Sequence, residues 1–335
     1  MAKDQAKAVL GIDLGGTKIY AAAVNRRGKI LGSARKKTRG ESGFEATVKR
    51  MAKCALEAAG DAGLEMSDIH AVGVGSPGPL DLKEGRIIET PNLKWVDAPL
   101  KAELEQLLQK PVKVDNDGNV GILGEHAYGA ARGADHVIGL FIGTGIGGGV
   151  IVNGEPLHGF NDNAGELGHM ILDPGGPQCG CGNHGCLEAF ASRLAIERDI
   201  RIAEIQGVET SVFADMKDRG ERLRSKKLTE AFLNGDPAVT LAINRSASYV
   251  GFAVASLLNV FNPEVVVLGG GLVEAMGKRY VNLVRKVAKR NVFSVALRNI
   301  RIVAAALKDD SAVLGAAVLA WQIPANAPPV KADAQ

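Results

Sequence analysis

Two segments of the chain, 128 residues apart, carry the same order of features. Residues 11–25 and 139–153 each contain an apolar strand, a glycine-rich turn, a second apolar strand and an asparagine, and they align without a gap. The identical pairs are Gly11/Gly139, Gly15/Gly143, Val24/Val152 and Asn25/Asn153. Repetition at a fixed offset indicates a duplicated architecture. The sequence therefore predicts two related units.

The order of apolar and amphipathic segments extends this prediction to the whole chain. Strands are predicted over 8–13, 19–24, 69–78, 112–117, 136–143, 150–154, 264–271 and 300–306, with another beginning near residue 30. Helices are predicted over 43–60, 98–108, 187–205, 228–234, 236–260, 272–290 and 311–322, and from residue 117. Strands that alternate with helices predict an α/β fold with mixed sheets.

Composition limits the classes of function. Forty basic against 37 acidic residues give a net charge of +3, which is too small to indicate a nucleic acid or an anionic membrane as partner. Aromatic residues are only 4% of the chain, so we expect no stacking platform for single-stranded nucleic acid. Neither a signal peptide nor a run of 18 apolar residues is recognisable, so we expect no membrane span.

Three of the four cysteines cluster in the segment PQCGCGNHGCLEAF, residues 177–190. The spacing C-x-C-x4-C argues against a disulfide framework and predicts a reducing compartment, the cytoplasm. Tetrahedral zinc is the expected occupant, with His184 or His169 as the fourth ligand. A closed site of this kind is structural. A redox centre is the alternative, although the C-x-x-C spacing typical of redox sites is missing.

Three glycine runs can present backbone N–H groups to an anion: residues 13–18 (DLGGTK), 143–149 (GTGIGGG) and 268–271 (LGGG). The first two lack the spacing of a Walker A loop and precede strands, so simple hairpin turns are the alternative. The third ends a predicted strand and opens a helix, the place where open α/β sheets usually bind ligands.

The segment KVDNDGN places Asp115, Asn116 and Asp117 where a predicted strand meets a predicted helix. Asn and Asp are preferred helix N-caps, so a purely structural role is one interpretation. A catalytic carboxylate is the other. The dipole of the helix favours an anion at its start, so we expect Asp117 to stay ionised.

The motifs GIDLGGTK, GTGIGGGVIVNG, GELGH and CGCGNHGCLE together resemble those of the ROK family, which comprises repressors, open reading frames and sugar kinases. The resemblance extends from about residue 8 to residue 322. It implies an actin-like (ribonuclease H-like) two-lobed sugar kinase fold, with duplicated mixed-sheet domains and a cleft between them. The smaller α/β lobe would comprise residues 1–117 and 310–335, and the larger lobe, with the zinc-binding loop, residues 118–309.

The resemblance also implies roles for individual residues. Asp117 matches the catalytic base of the ROK kinases, although Asp115 stands where Glu is commoner. The implied sugar contacts are Gly78, Asn92, Asn116, Asp117, Glu166, His169 and Glu188. Asp13 would hold magnesium, and the implied contacts to ATP are Gly15, Gly16, Thr17, Lys18, Thr144, Gly145, Gly269, Gly270 and Gly271. The family pattern favours His169 over His184, so the implied zinc ligands are His169, Cys179, Cys181 and Cys186.

The implied activity is ATP-dependent phosphorylation of a hexose, with glucose converted to glucose 6-phosphate. Alternative substrates are N-acetylmannosamine, N-acetylglucosamine, fructose, mannose and allose, and a phosphoryl donor other than ATP is also open. A sugar-responsive regulator without enzymatic activity is the alternative from another class. Such repressors carry an N-terminal helix-turn-helix, for which a first motif at residue 13 leaves no room, so we expect an enzyme. A homodimer or higher homo-oligomer is expected.

Overall fold

The computed structural model describes residues 7–90, 93–214 and 222–325. Its strands are Ala8–Leu14 (β1), Lys18–Val24 (β2), Ile30–Lys37 (β3), Ile69–Ser76 (β4), Leu80–Asp81 (β5), Arg86–Thr90 (β6), Trp95–Ala98 (β7), Val112–Asn116 (β8), Val137–Ile142 (β9), Ile146–Val152 (β10), Glu155–Pro156 (β11), Val265–Gly269 (β12) and Arg301–Ala304 (β13). Its α-helices are Phe44–Asp61 (α1), Leu100–Leu108 (α2), Asp117–Tyr128 (α3), Leu187–Ala191 (α4), Arg193–Ile205 (α5), Ser225–Leu233 (α6), Pro237–Phe261 (α7), Gly271–Met276 (α8), Lys278–Asn291 (α9) and Ser311–Trp321 (α10).

Two five-stranded sheets share one topology. The first has the order β3-β2-β1-β4-β8 and the second β11-β10-β9-β12-β13. In each sheet an antiparallel meander is followed by two parallel strands. A shift of 128 residues places β2 on β10 and all but the first residue of β1 on β9. The predicted duplication and the predicted mixed α/β class are confirmed.

Four differences from the expected elements have local causes. Pairing with β9 starts β10 at Ile146, so residues 147–149 lie in the strand and not in the turn. The helix expected over 187–205 breaks at Ser192, which is extended and caps α5 through its hydroxyl. The helix expected over 272–290 breaks at Gly277, where φ is +60°. A small sheet, β5-β6-β7, was not expected because its strands are only two to five residues long.

Helix α10 packs against β1, β4 and α3, and glycines permit the close approach. A Cβ on Gly11 would lie 2.1 Å from the carbonyl oxygen of Val313, and one on Gly73 would lie 1.7 Å from that of Ala316. A Cβ on Gly315 would lie 1.7 Å from the carbonyl oxygen of Val120 in α3. The two helices therefore touch backbone to backbone and link the first sheet to the second.

Helix α7 is the only helix of the described ranges that is long and apolar enough to cross a membrane. Of its most apolar 18-residue window, 61% is buried inside the protein, mainly against α4, α5 and α9. Its apolar character therefore fits the role of a core helix. The proposed lobe boundaries at residues 117 and 310 stay a prediction.

Candidate active site

The carboxyl end of β8 and the start of α3 carry the acidic segment. Asn116 is the N-cap of α3, and its Oδ1 accepts a hydrogen bond from the Gly118 N–H at 2.7 Å. Its side-chain amide nitrogen donates to Glu166 Oε1 at 3.3 Å. The structural interpretation of this segment therefore applies to Asn116, and because Asn116 provides the cap, Asp117 is not needed for it.

Asp117 is the first residue of α3. Burial raises the pKa of its carboxyl group from the ordinary value, and the backbone hydrogen bond at Gly118 offsets only part of this effect. The direction is opposite to the one expected from the helix start, because burial outweighs the favourable dipole. A raised pKa makes the carboxylate a better proton acceptor once it is ionised.

The acidic side chains predicted around the sugar lie near one another. Burial raises the pKa of Glu166, and the charges of Asp117 and Glu188 raise it further while His169 lowers it. Glu188 Oε2 accepts the Ile146 N–H at 2.8 Å, so this carboxylate also supports the end of the second glycine turn. Carboxylates from the start of α3, from α4 and from the loop that ends at Glu166 thus lie close enough to affect one another's charge.

Gly78 and Asn92 are the two residues predicted for the opposite wall of the sugar site. A Cβ on Gly78 would lie 3.4 Å from the side-chain nitrogen of Asn116, so Gly78 lies beside Asn116. Asn92 lies outside the described residues.

The cysteine cluster forms a compact set of ligand atoms. The Sγ atoms of Cys179, Cys181 and Cys186 and a ring nitrogen of His169 all lie within 4.8 Å of one another. Two of the pairs, Cys181 Sγ with Cys186 Sγ and Cys179 Sγ with His169 Nδ1, are each separated by 3.7 Å. Zinc bonds of roughly 2.0–2.3 Å imply ligand separations of about 3.3–3.8 Å in a tetrahedron. The set therefore fits zinc, and it contains His169 rather than His184.

The first glycine turn, Gly15–Thr17, connects β1 to β2 and is held by Thr38. The Thr38 hydroxyl donates to the Gly15 carbonyl at 2.6 Å, and its N–H donates to the Thr17 carbonyl at 3.0 Å. Gly16 and Thr17 are exposed. Lys18 Nζ lies 2.8 Å from both carboxylate oxygens of Asp309, a residue that sequence reasoning did not single out.

Asp13, the next-to-last residue of β1, lies near this turn. Burial raises its pKa to about 7, with the negative charge of Asp117 as the second cause and Lys18 opposing the shift. A buried carboxylate beside a second negative charge is stabilised by a cation. Magnesium prefers one or two carboxylates together with phosphate oxygens and water, so the arrangement fits this ion.

The second glycine turn, Gly143–Gly145, lies between β9 and β10. Arg193, at the start of α5, supports it twice: its N–H donates to the Gly143 carbonyl at 2.9 Å and its guanidinium donates to the Thr144 hydroxyl at 2.8 Å. Sequence reasoning missed this arginine. Thr144 itself is exposed.

The third glycine run lies beside the second turn. Strand β12 pairs in parallel with β9, with Gly269 opposite Phe141, so both strands end at the same edge of the sheet. Gly270 has a φ of +84°, and a Cβ there would lie 2.6 Å from the Ile142 carbonyl oxygen. Burial raises the pKa of Glu274 in α8. The negative charge of Asp309 raises it further, whereas the positive charge of Lys18 lowers it. The third run therefore lies beside the second, and Glu274 brings it within electrostatic reach of Lys18 and Asp309 at the first.

One contact beside this segment, between a buried carboxylate and a partly exposed histidine, also escaped sequence reasoning. Asp115 Oδ2 lies 2.8 Å from His158 Nε2. The predicted junction between a strand and a helix drew attention to Asp115. Nothing in the sequence, however, linked Asp115 to a histidine 43 residues away.

Comparison with known proteins places these observations in a family. A family model described as the ROK family matches residues 9–323. A glucokinase from Thermotoga maritima is 36% identical over 310 residues, which is 92% of this chain and 96% of that protein. A putative xylose repressor from Caldicellulosiruptor sp. is 32% identical over 92% of this chain and 76% of its own length.

A solved structure gives the same result for the fold. The ROK family glucokinase from Streptomyces griseus, in complex with glucose and AMPPNP, has a TM-score of 0.84 and 32% sequence identity. The match covers 94% of this chain and 100% of that one. The two-lobed actin-like sugar kinase fold is therefore confirmed.

Proposed function

The chain belongs to the ROK family, and from this premise we propose that it is a glucokinase, an ATP-dependent hexose kinase that converts glucose to glucose 6-phosphate. One observation carries the proposal. Asp117, a carboxylate whose pKa is raised by burial, lies close enough to Glu166 and to Asp13, beside the first glycine turn, for its charge to raise the pKa of both. That arrangement suits the transfer of a phosphoryl group to a sugar hydroxyl.

Asp117 is the proposed general base. Phosphoryl transfer has a loose transition state, so the enzyme mainly orients the hydroxyl and stabilises charge. Asp117 would accept the hydrogen bond of the sugar 6-hydroxyl, hold its oxygen in line with the phosphorus and take the proton as the new P–O bond forms. In the same step the bond between the γ-phosphorus and the β,γ-bridging oxygen of ATP would break, and ADP would leave. Asn116, Glu166, Glu188 and Gly78 would bind the other hydroxyls, with Asn92 as a further predicted contact.

His169 serves two sites in this proposal. Its Nδ1 lies at the cysteine cluster, which leaves Nε2 for the sugar. A zinc ion held by His169 and the three cysteines would fix this ring and the start of α4, on which Glu188 lies. The metal would have a structural role, because four protein ligands leave no open position for water.

The glycine turns are the proposed nucleotide site. Backbone N–H groups of Gly15–Thr17 and of Thr144–Gly145 would bind phosphate oxygens, with Lys18 adding positive charge. Residues Gly269–Gly271 would let the backbone approach the adenosine closely. Asp13 would hold Mg²⁺ directly or through water, and the bound ion would neutralise the charge that develops on the transferring phosphoryl group.

The similarity to a xylose repressor supports a second candidate, a sugar-sensing regulator without kinase activity. The presence of Asp117 favours an enzyme over a regulator, since sugar binding alone does not require a general base.

Assays with a panel of sugars separate the two functions. With ATP and Mg²⁺ we expect ADP release with glucose above all and weaker release with N-acetylmannosamine, N-acetylglucosamine, fructose, mannose or allose. Sugar binding without any ADP release would support the regulator.

The oligomeric state and the cellular location of the protein stay predictions. We expect a homodimer or higher homo-oligomer in the cytoplasm. Neither nucleic acid nor a membrane is an expected partner, in keeping with a net charge of only +3.

A further inference from the structure

Asp115, the residue before Asn116, is a buried carboxylate whose side chain is 3% exposed. Its Oδ1 accepts the Asn116 N–H at 2.7 Å and the side-chain amide of Asn119 at 3.0 Å. Its Oδ2 accepts the Nε2–H of His158 at 2.8 Å. A buried carboxylate is costly unless such donors surround it. His158 is therefore a structural partner of the strand end that carries Asn116 and Asp117.

His158 also begins a loop that returns to the pocket. We call residues 158–166 the bridging loop, which starts two residues after β11 and ends at Glu166. The loop is closed internally by the Ala164 N–H, which donates to the His158 carbonyl at 2.9 Å. The hydrogen bond to Asp115 raises the pKa of His158 and so favours the imidazolium form, in which both ring nitrogens carry a proton.

The middle of the bridging loop contacts the strand pair beyond Gly78. Asn163 Oδ1 accepts the Leu80 N–H at 3.3 Å, and Asp162 Oδ2 accepts the Leu82 N–H at 3.2 Å. Leu80 belongs to β5, in the small sheet whose strands lie in the chain between β4 and β8 of the first sheet. The loop thus spans from the second sheet to the small sheet.

The end of the bridging loop closes a ring of contacts. Glu166 Oε1 accepts a hydrogen bond from the Asn116 side chain at 3.3 Å. The path therefore runs from Asp115 to His158, through the loop to Glu166, across to Asn116 and back along the chain to Asp115. Both sides of the proposed sugar pocket belong to this ring, whereas the glycine turns of the nucleotide site do not.

We propose that His158 is a positioning residue for sugar binding, which holds the bridging loop against Asp115 and so sets the distance between Glu166 and Asn116. The inference rests on the proposed sugar kinase function. His158 makes no contact with the reacting atoms in this role. Its removal leaves a buried carboxylate without one donor and frees the start of the loop, so the effect should fall on the sugar and not on ATP.

Steady-state kinetics of two variants test the proposal. In His158→Ala we expect KM for glucose to rise by roughly tenfold to hundredfold, the range that corresponds to losing a hydrogen bond to a charged group, with KM for ATP within about twofold. In His158→Gln the side-chain amide can replace Nε2–H as a donor, so most of the glucose affinity should return. Equal KM for glucose in wild type and His158→Ala would overturn the proposal.

His70→Ala is the matched control. His70 is another partly buried histidine, with Nε2 2.8 Å from the Ile323 carbonyl oxygen, but it is not part of the ring. Its loss should leave KM for glucose unchanged. A rise in KM for glucose as large as that in His158→Ala would show a general loss of stability and would contradict the positioning role.

Hydrogen exchange tests the same inference without relying on activity. In His158→Ala the amides of Leu80 and Leu82 should exchange faster than in wild type, and in His158→Gln they should be protected again. Unchanged exchange in His158→Ala would overturn the proposal even if KM rises. If wild type phosphorylates no sugar, the proposed function fails, while the exchange experiment still decides the role of His158.

Discussion

The protein environment changes the acidity of two carboxylates in the candidate site. Asp13 and Asp117 are ordinary carboxylates in the sequence, yet burial raises the pKa of both, that of Asp13 to about 7. The helix start beside Asp117 acts in the other direction and is outweighed. The local sequence does not predict whether burial or the helix dipole has the larger effect on the pKa. The atoms that exclude water from a carboxylate come from distant parts of the chain.

The raised pKa of Asp117 predicts a pH dependence. A general base must be ionised, so kcat/KM should fall as pH decreases through the pKa of Asp117. Since burial raises this pKa above its ordinary value of 3.8, we expect the acid limb to lie at higher pH than an unperturbed aspartate would give. The measurement is kcat/KM for glucose against pH, at saturating Mg²⁺ so that the cation suppresses protonation of Asp13.

The opposite result would be a rate that stays constant down to about pH 4, near the ordinary pKa of a free aspartate. Such a profile would mean that Asp117 is as well hydrated as a surface carboxylate, or that proton acceptance by this group does not limit the reaction.

Sequence motifs pointed to those residues of the candidate site that lie close together in the chain. They missed the pairs that join distant segments. Lys18 meets Asp309 across 291 residues, Thr144 meets Arg193 across 49, and Asp115 meets His158 across 43. Such pairs depend on how the elements pack, which a motif of ten residues does not encode.

At the scale of the elements, the cysteine cluster acts on the short helix that follows it. Cys186 is the N-cap of α4, and Cys179 Sγ lies 3.5 Å from Glu188 Oε1 in the first turn of that helix. The segment PQCGCGNHGCLEAF, residues 177–190, therefore connects a candidate zinc site to a candidate sugar contact within ten residues of chain. This local connection is why the sequence alone could predict it.

Loss of one cysteine tests the zinc site. Purified wild type should contain about one zinc ion per chain, and Cys181→Ser should lose it, since structural sites depend on the full set of ligands. Cys181 is exposed, so the substitution disturbs little packing. KM for glucose should rise because His169 and Glu188 lose their support. Zinc is measured by atomic absorption and KM by ADP release.

Cys54→Ala provides the comparison for this experiment. Cys54 is buried in α1, and its Sγ lies 3.3 Å from the Ala34 carbonyl oxygen, away from the cluster. This variant should keep its zinc. Full zinc content in Cys181→Ser would contradict the assignment of the ligands.

Two glycines in helices should respond in opposite ways to alanine. In α10, a Cβ on Gly315 would meet the Val120 carbonyl oxygen at 1.7 Å, so Gly315→Ala should cost about 1–3 kcal/mol of unfolding free energy through overpacking. In α1, nothing lies within 4 Å of the Cβ position of Gly60, so Gly60→Ala should be neutral or stabilise by up to about 1 kcal/mol. Urea unfolding of the two variants measures both effects.

Equal stability of Gly315→Ala and Gly60→Ala would contradict the close packing of α3 on α10. A helix propensity scale alone predicts the same gain for both, so the difference between them isolates the contact between the helices.

For the whole molecule, repetition made the fold predictable. The strand–turn–strand pattern at residues 11–25 recurs at 139–153, and the structure repeats it as two sheets of identical strand order. The small sheet of β5, β6 and β7 was missed, because strands this short carry too little alternation to be recognised. Its position directly after Gly78 nevertheless places it beside the proposed sugar site.

Asp117→Asn tests the central claim most directly. The substitution keeps the shape of the side chain but removes its ability to accept a proton. Wild type should release ADP with glucose, while the variant should lose about 10²–10⁴-fold in kcat and still bind glucose with an affinity within a few-fold of wild type, measured by calorimetry. Wild-type turnover in Asp117→Asn, or no ADP release by wild type with any hexose, would contradict the assignment of this site as a hexose kinase.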